Sequence, residues 1–178
     1  MTKIFLLLFL FVPSELLAEY KNTSGTALEK SFSDMVKWIR SDQEPKLSFI
    51  EISSEWEELN LLEDDNYAVW IGHSTFLIKK NGITILTDPI FSDRASPFKR
   101  IGPKRLIPAA IDLKAIPKID YVTVSHNHYD HLDIHSLINI SKNHPDAIFL
   151  VPAGDRDLLK RKRIKNVYEF EWWASFKD

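Results

Sequence analysis

Between Ser125 and Asp133 the chain reads Ser-His-Asn-His-Tyr-Asp-His-Leu-Asp, which gathers His126, His128, Asp130 and His131 into six consecutive residues. Imidazole nitrogen and carboxylate oxygen are the donors a borderline-soft divalent ion such as zinc takes, and a chain with no cysteine has no thiolate to offer instead. In extended backbone, residues two apart point to the same side, so His126 and His128 can grip one ion together. Asp130 and His131, on the turn that follows, can face a second. Two divalent ions roughly 3.5–4 Å apart polarise an ester or phosphoryl oxygen and stabilise the leaving oxygen, so this stretch points to hydrolysis.

A competing motif fails on chemistry. His131 and His135 stand four apart on a predicted helix, but the helical zinc pair needs glutamate directly after its first histidine as general base, and here that residue is Leu132. His135 and His144 are read as surface or capping residues.

A metal cluster needs a rigid platform. Ile119–Val124 reads as a buried strand that delivers the histidine stretch at its carboxyl end, and Asp133 can cap a helix running to about Lys142 with Ile134, Leu137 and Ile138 on one face. Upstream, Tyr67–Ile71, Thr75–Ile78 and Ile83–Thr87 are rich in β-formers, and Asn81-Gly82 signals a hairpin between the last two. Asp88-Pro89 ends that series as a turn. Residues 92–118 carry Pro97, Pro103, Pro108 and Pro117 and read as one long irregular loop. Beyond the helix, Ile148–Val151 reads as a strand, Asp155–Arg163 as a short basic helix and Val167–Trp172 as a final strand. Strands alternating with helices indicate an α/β fold.

The 178 residues, 44% hydrophobic, suffice for one ordinary domain with a core. A net charge of −2 supplies no global basic field, so no nucleic-acid partner is expected. At the start, Lys3, the apolar run Ile4–Val12 and Leu16-Leu17-Ala18 read as a secretory signal over 1–18, too short for the ~20 apolar residues of a spanning helix. The expectation is an exported protein, periplasmic or secreted, with membrane association through an uncleaved N-terminal segment as the alternative. Residues 19–60 form an extension in which Phe32, Met35, Val36 and Ile39 have helical spacing, and 61–178 hold the α/β domain that carries the histidine stretch. The acidic residues between 51 and 66 read as a solvated face.

Around the histidine stretch stand further motifs: Trp70-Ile71-Gly72-His73-Ser74-Thr75, Leu86-Thr87-Asp88-Pro89-Ile90-Phe91, Arg94-Ala95-Ser96-Pro97, Gly102-Pro103-Lys104-Arg105 and Glu171-Trp172-Trp173. With His126-x-His128-x-Asp130-His131, the chain resembles the metallo-β-lactamase-fold family of N-acyl-phosphatidylethanolamine-hydrolysing phospholipase D, from about residue 30 onward. The resemblance implies a metallo-β-lactamase-like αββα sandwich and a zinc-dependent phosphodiesterase with two zinc ions. It puts His126 and His128 on one ion and Asp130 and His131 on the other, with Asp130 also among the catalytic groups. It gives Asp88 the task of bracing the metal loop from behind the ligands. His73, after a strand, is read as lining the substrate pocket. The substrate implied is a phospholipid or another phosphodiester.

Two departures qualify what the resemblance implies. Ser74 stands where the family has alanine. The chain ends after Trp173-Ala174-Ser175-Phe176-Lys177-Asp178, about where the first half of such a domain gives way to the second, which would bring a bridging aspartate and further histidines. The expectation is therefore the N-terminal half of the fold, one mixed sheet with helices, with two protein ligands per ion, weak zinc binding and little hydrolysis until a complementing C-terminal half joins it. A non-catalytic half-domain and a lactonase or nuclease on the same fold are the alternatives. Finally, Arg94, Lys99, Arg100, Lys104 and Arg105 fall within an acid-free stretch of twelve residues. Such a loop either attracts a phosphate headgroup or an anionic membrane surface, or simply solubilises the chain.

Overall fold

A computed structural model describes residues 55–98, 100 and 102–175, together with Ser31, Ser33, Asp34, Val36 and Lys37. The signal segment expected over 1–18 lies outside the described residues. So do Phe32, Met35 and Ile39 of the expected amphipathic helix, of which Ser33, Asp34, Val36 and Lys37 are described and helical. The Asp34 carboxylate accepts from the backbone N–H of Ser31 at 3.1 Å and the Ser31 hydroxyl accepts from the Asp34 N–H at 3.3 Å, the reciprocal pattern of a helix start. This segment belongs to one compact unit, residues 1–46, and the domain to another, residues 47–178.

Within the second unit, β1 (Asn66–Gly72), β2 (Thr75–Lys80) and β3 (Ile83–Thr87) form an antiparallel meander. Asn81 and Gly82 both take positive φ, +49° and +79°, which matches the twist a two-residue hairpin needs. From β3 onward the sheet is parallel: β4 (Tyr121–Thr123), β5 (Ile148–Pro152) and β6 (Val167–Phe170) follow in sequence order, giving six strands ordered β1 to β6. Parallel neighbours need long crossovers. Residues 88–120, helix α1 (Ile134–Asn143) and helix α2 (Arg156–Arg161) supply them.

The two faces of the sheet differ in what covers them. Val69, Leu77, Leu86, Val122, Phe149 and Val167 lie in register across all six strands and are all buried, together with Leu137 and Ile140 of α1 and Leu159 of α2. Burying a side chain of this size contributes about 1.5–3 kcal/mol. On the other face the row Trp70, Phe76, Thr87, Thr123, Leu150 and Tyr168 keeps large apolar groups in solvent, with Trp70 51%, Phe76 41% and Tyr168 47% exposed. One mixed sheet with helices on a single face is half of an αββα sandwich.

The crossover from β3 to β4 departs from the irregular loop predicted over 92–118. A short 3₁₀ turn, Leu113–Ala115, is capped by the Asp112 carboxylate, and Ile111, Leu113, Ile116 and Ile119 are buried in the main core. These apolar residues follow neither the period of a strand nor that of a helix, because an extended chain with one tight turn places them under the sheet.

Candidate metal centre

Strand register brings three separate segments to one end of the sheet. Parallel pairing of Thr87 with Thr123 sets Asp88, one residue past β3, beside the start of the histidine stretch, one residue past Val124. The hairpin tip between β1 and β2 is fastened to the same place. The Thr87 hydroxyl donates to the Ser74 carbonyl at 2.9 Å, and the Thr75 hydroxyl donates to the Asp88 carbonyl at 2.8 Å. The cluster thus sits where ligands bind in α/β sheets, beyond the carboxyl ends of parallel strands.

Asp88 is buried and its carboxylate accepts from the Ser125 N–H at 2.6 Å and the Ser125 hydroxyl at 2.7 Å. The same carboxylate lies 2.9 Å from Nδ1 of His131, which leaves Nε2 of that ring facing outward. Nε2 of His131 is 3.6 Å from Oδ2 of Asp130, and Nε2 of His73 is 2.9 Å from the same oxygen. On the other side of the cluster, Nε2 of His126 and Nδ1 of His128 are 3.2 Å apart, and the ring centroids of His126 and His131 are separated by 3.9 Å. His126, His128, Asp130 and His131 are therefore gathered together, and His73 joins them from the hairpin tip. His135 stays outside, its ring 3.5 Å from the Pro97 carbonyl oxygen.

The electrostatics suit metal ligands, which must bind deprotonated. His126 is held below the ordinary imidazole value by burial, reinforced by the neighbouring His131 and His128, so its neutral form is favoured. Burial pushes Asp130 upward, but its own backbone N–H, His131 and His73 outweigh that and hold the carboxyl below its usual range. The donor set, nitrogen and carboxylate oxygen without sulfur, fits zinc.

Sequence reading missed two supports. Asp133 caps α1 through the His135 N–H at 3.1 Å, as expected, but its carboxylate also accepts from the Ser136 hydroxyl at 2.5 Å and from the Ser92 N–H at 3.0 Å, tying the helix to the segment after Asp88. The serine three residues after Asp133 was the available signal. Asp155, buried at the start of α2, accepts from the Asn127 amide at 3.3 Å and so reaches the histidine stretch from β5. Burial raises its pKa, against the effect of the Asn127 hydrogen bond and with a further push from Glu169.

Beside the cluster opens a cleft of about 1220 Å³, with Trp70, Leu106, Ile107 and Pro108 among its walls and His73 and Asp130 at its edge. The basic loop divides unevenly over it. Arg105 spends its guanidinium on the carbonyls of Ile90, Ser92 and Ile107, and Arg94 donates to the Gly102 carbonyl at 2.6 Å. Those two arginines therefore pin the loop, while Arg100 and Lys104 remain exposed and Lys99 lies outside the described residues.

The sequence model of the β-lactamase superfamily domain matches residues 68–172, more than half of the chain. An uncharacterized protein of Mycobacterium tuberculosis is 48% identical over 85 residues, 48% of this chain and 23% of that protein. The N-acyl-phosphatidylethanolamine-hydrolyzing phospholipase D 1 of Caenorhabditis elegans is 36% identical over 118 residues, 64% of this chain and 33% of the nematode protein. A mitochondrial enzyme of Saccharomyces cerevisiae with the same activity in its name is 40% identical over 110 residues, 61% of this chain and 23% of the yeast protein. The chain thus spans between 23% and 33% of the length of these relatives.

Proposed function

Because the chain belongs to the β-lactamase superfamily, we propose that it carries the metal-binding half of a zinc-dependent phosphodiesterase acting on phospholipids of the N-acyl-phosphatidylethanolamine class. The observation that carries this reading is the meeting of His126, His128, Asp130 and His131 at the carboxyl end of β4, through the close pairs His126–His128, His126–His131 and His131–Asp130, beside an apolar cleft. Bound there, two zinc ions would polarise the phosphoryl oxygen and offset charge on the leaving oxygen. In this reading His126 and His128 hold one ion, Asp130 and His131 the other. Asp88 holds the ring of His131 through Nδ1, which would leave Nε2 to bind the metal, as outer carboxylates commonly do for ligating histidines. Asp130, kept ionised by its own backbone N–H, His131 and His73, would also accept a hydrogen bond from the attacking water. The apolar cleft walls suit acyl chains and the exposed Arg100 and Lys104 suit an anionic headgroup or membrane surface.

We further propose that full activity requires a complementing C-terminal segment, which would cover the half-exposed face of Trp70, Phe76 and Tyr168 and add ligands. Adding zinc and N-acyl-phosphatidylethanolamine to the purified chain, alone and mixed with the remainder of a homologous domain, tests both parts. Zinc-dependent release of phosphatidic acid only in the mixture is expected. Release by the isolated chain would remove the need for a complement, and no release in either case, with zinc bound, would favour a non-catalytic half-domain.

A further inference from the structure

We infer that His73 is a metal ligand, completing with Asp130 and His131 a three-residue site contained in this chain; the inference rests on the metal-dependent reading above and assigns His73 a role different from lining the substrate pocket. One ligand atom each from His73, Asp130 and His131 can be chosen so that all lie within 4.8 Å of one another. In a tetrahedral zinc site with bonds near 2.0–2.1 Å, neighbouring ligand atoms stand about 3.3 Å apart. The two measured pairs, 2.9 Å from His73 to Asp130 and 3.6 Å from His131 to Asp130, bracket that spacing.

Each ligand is held by a different part of the fold. His131 is fixed from behind through Nδ1 by Asp88. Asp130 sits on the turn closed by the His131 N–H donating to the His128 carbonyl at 3.0 Å. His73 is carried at the hairpin tip with φ of +51°, a left-handed conformation that histidine adopts more readily than most side chains but that glycine or asparagine would fill with less strain. The Trp70 indole donates to the His73 carbonyl at 2.8 Å and holds that turn. The His73 side chain is 49% exposed and Asp130 40%, against 16% for His131, so one side of the triangle faces solvent. Three protein ligands with an open fourth position is the arrangement of a catalytic rather than a structural zinc.

The consequence reaches past ligand counting. The histidine stretch alone offers the second ion two ligands, whereas the hairpin tip adds a third from 57 residues away in sequence. Metal binding at this site therefore bridges β1–β2 to the loop after β4.

The test uses the 178-residue chain, zinc titration and cobalt(II) absorption, with circular dichroism as the check of folding. His73→Asn keeps a residue that tolerates positive φ and removes the imidazole, and His73→Asp retains a ligand. With His126→Ala and His128→Ala in place to remove the other pair, one cobalt ion should still bind with the intense visible bands of four-coordination. Adding His73→Asn should abolish those bands and lower zinc affinity by more than the roughly 10- to 100-fold that loss of an outer partner costs, while His73→Asp should keep them. Unchanged bands in folded His73→Asn, whether affinity holds or falls, would overturn the inference and leave His73 a hydrogen-bond partner of Asp130. Absence of any zinc or cobalt binding by the unsubstituted chain would instead overturn the metal-dependent reading itself, and the inference with it.

Discussion

Oδ2 of Asp88 lies 2.9 Å from Nδ1 of His131, joining the end of β3 to the histidine stretch across 43 residues of sequence. Asp88 itself has φ of +37° and is locked by the Ser125 N–H and hydroxyl. Asp88→Asn keeps a residue that tolerates this backbone but weakens the hold on the imidazole ring. Zinc affinity should fall roughly 10- to 100-fold, read by competition with a chromophoric chelator. Unchanged affinity would mean that the ring of His131 is oriented without it.

Asp133 is the second anchor. Its removal in Asp133→Ala strips the cap from α1 and leaves the Ser92 N–H and the Ser136 hydroxyl without their carboxylate. Loss of the cap costs about 1 kcal/mol and the buried Ser136 hydroxyl, left without its acceptor, about 1–3 more, while the half-buried Ser92 N–H can turn to water, so a destabilisation of about 2–4 kcal/mol is expected in urea unfolding. A loss below about 1 kcal/mol would show that the segment after Asp88 is held by other contacts.

Asp155 should make stability depend on pH. Its pKa is raised by burial in the folded state, so the folded protein binds that proton more tightly than the unfolded chain does. The stability it contributes is complete below the ordinary carboxylate value, near 3.9, and is lost as pH rises through the raised folded value. Asp155→Asn, which can still accept from Asn127, should therefore gain on the unsubstituted protein between about pH 4 and pH 7 when urea midpoints are compared. A constant difference between the two proteins over that range would contradict the sign.

The basic loop gives a prediction that separates its members. Replacing Lys99, Arg100 and Lys104 with glutamine should reduce binding to anionic phospholipid vesicles at low salt, at about fivefold for each charge that reaches the surface, and the difference should vanish at high salt. Arg105→Gln should instead loosen the loop, seen as faster proteolysis within 92–108, because its guanidinium is committed to the carbonyls of Ile90, Ser92 and Ile107. Equal vesicle binding by the triple variant would leave the loop a solubilising one.

Much of the sheet was legible because its signals are local. Alternating β-formers mark β1, β2 and β3, Asn81-Gly82 marks their hairpin, and Asp133 marks the start of α1. The crossover over 92–118 was not, since Ile111, Leu113 and Ile116 reach the core through irregular backbone that has no period to read. The same limit applied to Arg94 and Arg105: sequence shows their charge, but only the path of the chain shows the carbonyls that take it up.

The sequence by itself determined the donors of the metal cluster and their spacing along one turn, because residues two to five apart are placed by the local backbone alone. It also determined the family, through motifs that keep their order from Trp70 to Trp173. Which donors meet was decided only by the tertiary structure. The contacts of Asp88 with His131 and of His73 with Asp130 close over 43 and 57 residues. They depend on the register that sets Thr87 beside Phe76 on one side and Thr123 on the other, and a shift of one residue in either pairing would turn the side chains to the opposite face.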